Sequence, residues 1–129
     1  MRVLLMHPYM LVFLGGGAGS LLRYLCGRFI PATLFGSPFP NAILLVNVLA
    51  SFILGALVGW VVQRSAGEEV RLLIGVGFCG GLSTFSSFSY DTVVLLQSGR
   101  IGAALLNIGL NVVLCLLASV NGLWIGSKL

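Results

Sequence analysis

Between positions 83 and 89 every residue is either a hydroxyl bearer (Ser83, Thr84, Ser86, Ser87, Ser89) or a phenylalanine (Phe85, Phe88). A hydroxyl can give one proton to an anion or turn lone pairs to a cation. The edge of a phenylalanine ring is positive and can meet an anion. Phe85 and Phe88 are three apart and share a face if the segment is helical. With no charged side chain between 83 and 89, such a surface can bind an ion without trapping it, as a conduction path requires. Two further polar tracks run through apolar sequence. Asn47 and Ser51 are four apart, and Asn107, Asn111, Cys115 and Ser119 follow one another at four-residue steps, each set on one helix face.

The chemistry sits in unusual surroundings. Of 129 residues, 58% are hydrophobic and only 8% charged, against roughly 25% charged in an ordinary soluble domain. That excludes a soluble monomer and points to a membrane. The net charge of +4 comes from seven scattered Arg and Lys residues, so a nucleic-acid partner is not indicated. Cys26, Cys79 and Cys115 are odd in number and far apart, which suggests neither disulfides nor a zinc site. They read as packing residues, and the chain as a transport protein rather than an enzyme.

Four apolar runs, at about 3–29, 42–62, 72–96 and 101–125, are long enough to cross a bilayer as helices. The expected fold is a single all-α, four-span membrane domain over 1–129. Pro8 fits the first turn of the first span. The sequence PATLFGSPFPN and the charged stretch QRSAGEEVR are loops, and QSGR is a turn. A cleaved signal peptide is disfavoured because the first apolar run continues past GGGAGS. Arg23, near the end of that run, reads either as a snorkelling side chain or as a group drawing anions to a pore mouth. Each span carries one GxxxG pair: Gly15 and Gly19, Gly55 and Gly59, Gly77 and Gly81, Gly122 and Gly126. Small residues at that spacing let helix backbones approach closely. A bundle this small has little interior, so the polar stripes are expected to meet a second copy.

The third span should be broken at its centre. Gly80 and Gly81 weaken a helix by roughly 1 kcal/mol each, and the hydroxyls that follow compete for backbone groups. Non-helical backbone at membrane depth survives only inside protein or beside water, where it often marks an ion site. Freed carbonyls could hold a cation and hydroxyls could serve an anion. Loop charge divides as Arg2, Arg64, Arg71 and Lys128 against Arg23, Arg28 and Arg100. So small a bias allows insertion both ways and an antiparallel pair. Asp91 is the only carboxylate within a span. It reads as an interfacial acid, a support for the break, or a proton relay.

The segment GFCGGLSTFSSFS, positions 77–89, resembles the signature of the small fluoride channels of the Fluc or CrcB family, whose usual form is close to GGLTTFSTFS. GGGAGSLLRY, at 15–24, is similar to the family's first-span motif, and LLVN, at 44–47, to its second-span motif. The resemblance implies an antiparallel, dual-topology homodimer with two narrow pores in the cell (inner) membrane, through which cytoplasmic fluoride leaves passively. It implies a structural sodium ion at the dimer centre, held by the backbone carbonyls of Gly80 and Ser83. Phe85 and Phe88 match the phenylalanines that contact fluoride, Asn47 matches the pore asparagine, and Arg23 matches the vestibule arginine. Ser86, Ser87 and Ser89 fall on the adjoining polar track, with Asn111 and Cys115 on the fourth-span stripe. Ser83 and Ser87 replace threonines, Ala42 and Ile43 stand for Gly and Thr, Cys115 for a common serine, and Asp91 for a glutamate.

Two other classes compete. A small four-span proton-coupled exporter would need a membrane-buried glutamate in its first span, and Glu68, Glu69 and Asp91 all lie elsewhere. A non-transporting assembly subunit would explain the glycines but not hydroxyls and phenylalanines at mid-membrane.

Overall fold

The computed structural model describes residues 2–64 and 67–129, with helix side chains from His7 onward. The side chain of Arg2, used in the charge count, and Ser65 and Ala66 of the charged loop lie outside the described residues. Helix α1 (Arg2–Phe29) is followed by a miniature antiparallel hairpin, β1 (Thr33–Leu34) and β2 (Ser37–Pro38), inside the proline-rich loop. Phe35 and Gly36 turn the hairpin with positive φ, and the side chain of Asn41 ties it down by donating to Pro31 O (2.9 Å) and Thr33 O (2.7 Å). Arg100 donates to Pro38 O from the turn before the last helix. Helix α2 spans Asn41–Arg64 and α6 spans Ile101–Gly126.

Between them the third run has several parts. It comprises α3 (Glu68–Val70), a π-helical segment (Arg71–Cys79), α4 (Gly80–Leu82) and α5 (Phe85–Gln97). Four stretches, His7–Phe29, Asn41–Arg64, Glu68–Gln97 and Ile101–Gly126, are long and apolar enough to cross a membrane. Their bounds match the expected spans to within a few residues. Pro8 departs from expectation: it lies inside α1 rather than in its first turn. Proline brings no N–H, so one ladder bond of α1 is missing there.

Glycines set the helix pairing. Gly15 and Gly19 of α1 face the backbone of the third run, while Gly77 and Gly81 face α1. Gly55 and Gly59 of α2 face α6, while Gly122 and Gly126 face α2. A Cβ at any of these eight positions would lie under 3.0 Å from a backbone atom of the opposing helix. The four GxxxG pairs therefore form two reciprocal clasps, α1 with the third run and α2 with α6. A small core joins the clasps, formed by Val46, Ala50, Cys79 and Leu82 with Cys26, Ile53, Ile74 and Phe78 packed against it. Cys26 and Cys79 thus pack as expected, and all three cysteines are free thiols.

Candidate functional site

The site begins where two residues leave the helix. Ser83 (φ −76°, ψ 154°) and Thr84 (φ −152°, ψ 116°) are extended, while Gly80 and Gly81 stay helical in α4. In a continuous helix the Thr84 N–H would donate to Gly80 O. It donates instead to Asn47 Oδ1 on α2, at 2.8 Å. Thr84 then caps α5: its Oγ1 accepts from the Ser87 N–H at 3.1 Å, a donor that a continuous helix would give to Ser83 O. Two carbonyls, Gly80 O and Ser83 O, are thereby deprived of their helical donors.

The side-chain amides of α2 and α6 meet the Thr84 backbone at this point. Asn47 Nδ2 donates to Asn111 Oδ1 at 3.0 Å and to Thr84 O at 3.4 Å. Asn111 donates to Asn107 Oδ1 at 3.0 Å, and Asn107 to Thr92 Oγ1 at 3.0 Å. Asn107 and Asn111 are only 1% and 6% exposed. These two asparagines find their hydrogen-bond partners within the chain, while Asn111 and Cys115 of the same stripe also line an open groove. A buried amide must find partners, and the facing helices supply them.

Beside these amides lies a groove of about 270 Å³, lined by Asn47, Ser51, Ser83, Thr84, Phe85, Phe88, Asn111, Val112 and Cys115. The Phe85 and Phe88 rings stand 5.5 Å apart, tilted by 49°, and Phe85 is 79% exposed. One groove thus brings together five expected pore residues: Phe85, Phe88, Asn47, Asn111 and Cys115. It does not include Ser86, Ser87 or Ser89. Ser87 lines a different cavity, of about 520 Å³, with Ser20, Arg23, Tyr24, Gly27, Arg28 and Ile43. Thr84 lines the groove and Ser87 the cavity, and the Thr84 hydroxyl donates to Ser87 Oγ at 3.2 Å.

A hydroxyl has one proton, and most here are already committed. Ser83 donates to Cys79 O (2.9 Å), Ser89 to Phe85 O (2.8 Å), Ser51 to Asn47 O (2.7 Å) and Thr92 to Phe88 O (2.8 Å). With the Thr84 proton on Ser87, the 3.2 Å contact between Thr84 and Ser86 is one that Ser86 donates. Ser87 is the member of the serine run whose proton is left over among the described residues. Ser83 offers lone pairs instead. With Gly80 it lines a third groove, of about 290 Å³, between α2 and the third run. Free carbonyls and a hydroxyl oxygen form a donor set that suits a hard cation such as sodium. Among the described residues no cluster of His, Cys, Asp or Glu could hold a metal ion.

Thr84 was not singled out from sequence, although it is the hub of the site. A Thr followed three residues later by a polar residue at a helix start is the signal that would have found it. Asp91 lines a separate pocket with Ala32, Pro38, Phe39, Pro40, Val94 and Leu95, away from the amide groove.

A family model described as "CrcB-like protein, Camphor Resistance (CrcB)" matches residues 10–123. A protein of Shewanella frigidimarina named fluoride-specific ion channel FluC is 48% identical over 111 residues, covering 86% of this chain and 89% of that protein. Relatives of the same name from Novosphingobium aromaticivorans and Thermus thermophilus are 42% and 46% identical, covering 89% and 78% of this chain and 89% and 80% of their own. The matched region contains all four candidate spans' interiors and every residue of the grooves. The chain belongs to the CrcB family, as a multi-pass protein of the cell membrane.

Proposed function

We propose that this protein is a fluoride-selective channel through which fluoride leaves the cell passively, lowering its cytoplasmic level. The carrying observation is the groove that sets the Phe85 and Phe88 rings beside the Asn47 and Asn111 amides with no charged side chain in its lining. Fluoride is small and strongly hydrated, so a path for it must replace water with short donors. Positive ring edges at Phe85 and Phe88 and the one free hydroxyl at Ser87 do this without a fixed cation that would hold the ion, while the Asn47 and Asn111 amides, bonded to each other and to Thr84, hold the turn beside the rings. The proposed track comprises Phe85, Phe88, Asn47, Asn111, Cys115 and Ser87, with Ser86 and Ser89 beside the rings and Arg23 at the vestibule. The proton-coupled exporter is less well supported, since Asp91, the carboxylate in the interior of the third span, lies outside the groove.

The finer architecture belongs to the same proposal. We read Ser83 and Thr84 as a break that divides the third span and frees Gly80 O and Ser83 O. Those carbonyls would hold a structural sodium ion, which would fix the two half-helices by charge. The amide groove is open on one side and Phe85 is largely exposed, which supports a second, antiparallel copy as the missing wall.

The test is fluoride efflux from liposomes carrying purified protein. The F85I/F88I double variant should assemble normally and lose fluoride flux at least about 100-fold, equivalent to roughly 2.7 kcal/mol at the ring edges. Flux equal to wild type would remove the aromatic part of the proposal.

A further inference from the structure

The cations of this chain fall into two groups. Arg64 donates to Leu129 O, Arg71 pairs with Glu68 at 3.5 Å, Arg100 donates to Pro38 O, and Lys128 lies over the Trp124 ring at 3.4 Å. Among the described residues only Arg23 and Arg28 have no hydrogen bond, ion pair or ring partner. These two line one cavity together with the hydroxyl-bearing Ser20 and Ser87 and the apolar Ile43. The cavity has about twice the volume of the amide groove, 520 against 270 Å³, so it takes a hydrated ion more readily than the groove beyond. One of its lining residues, Ser87, accepts from the Thr84 hydroxyl, and Thr84 lines the amide groove.

We propose that Arg28 is a rate-determining residue for anion capture, acting with Arg23 to concentrate fluoride in this cavity before it passes the Ser87 and Thr84 hydroxyls. The inference rests on the channel reading and deepens it. Two guanidinium groups with no carboxylate in the same lining give a cavity of one sign, and low-dielectric walls focus such a field. Arg28 does not coordinate the ion in the narrow groove, so its contribution is to capture rather than to selectivity. It is therefore sensitive to salt, whereas the groove is not.

The experiment measures fluoride efflux at low fluoride from zwitterionic liposomes, with wild type, R28Q and R28K compared at two ionic strengths set by an impermeant salt. At about 0.01 M, where charges reach roughly 30 Å, R28Q should conduct about threefold more slowly than wild type; at about 1 M, where they reach roughly 3 Å, the two should coincide. R28K should track wild type at both, and the fluoride-to-chloride ratio should be the same in all three. Equal rates for R28Q and wild type at low salt would overturn the inference. So would a deficit that persists at high salt, which assigns Arg28 to folding. A deficit seen only when anionic lipid is added would assign it to a headgroup phosphate and overturn it equally. A wild type that conducts no fluoride would instead overturn the channel reading itself.

Discussion

At the scale of single residues, proton direction decides what each hydroxyl can do. Ser89 lies next to the ring pair in sequence, yet its proton is held by Phe85 O, so as placed it offers an anion nothing. Ser87 accepts from Thr84 and keeps its own proton. S87A should therefore reduce fluoride flux about tenfold, as expected for losing one hydrogen bond to a charged partner, and S89A should cost much less. Equal losses in liposome efflux would show that the hydroxyls reorient freely. The family resemblance placed Ser86, Ser87 and Ser89 on one track, because a motif match carries hydroxyls over by position and cannot see where their protons go. It likewise missed Thr84, whose importance comes from a contact with Asn47 across two helices.

At the scale of elements, close backbone approach is the main organising force. Without a hydrophobic drive between helices in lipid, packing contacts hold spans together. The GxxxG spacing made the existence of these contacts legible, but not which helix meets which. That α1 clasps the third run and α2 clasps α6 follows only from the reciprocal contacts of Gly15 and Gly19 with Gly77 and Gly81, and of Gly55 and Gly59 with Gly122 and Gly126. Gly126→Ala would press a methyl into the Ala56 backbone and should destabilise by about 1–3 kcal/mol. Gly102→Ala, with open space around it, should be neutral or stabilising by up to about 1 kcal/mol. Thermal unfolding in detergent measures both, and equal melting temperatures would contradict the clasp. Span limits were legible because charges and prolines punctuate them. The π-helical wind of Arg71–Cys79 was not, since its apolar residues leave no period that separates it from an α-helix.

At the scale of the whole molecule, one chain satisfies its amides but leaves its groove unwalled. Asn107 and Asn111 bond to each other and to neighbouring elements within one chain, while Cys115, further along the same stripe, lines the open groove. What remains for a partner is the open side, where Phe85 is 79% exposed. A size measurement in mild detergent should therefore give two chains per particle, and a strict monomer would contradict the shared pore. The central claim is passive, selective fluoride conduction, and ion efflux from potassium-loaded liposomes tests it most directly. On adding valinomycin to carry the balancing charge, fluoride should leave rapidly while chloride stays, with no imposed proton gradient. Chloride leaving at a comparable rate, or fluoride moving only when protons are driven the other way, would contradict the account.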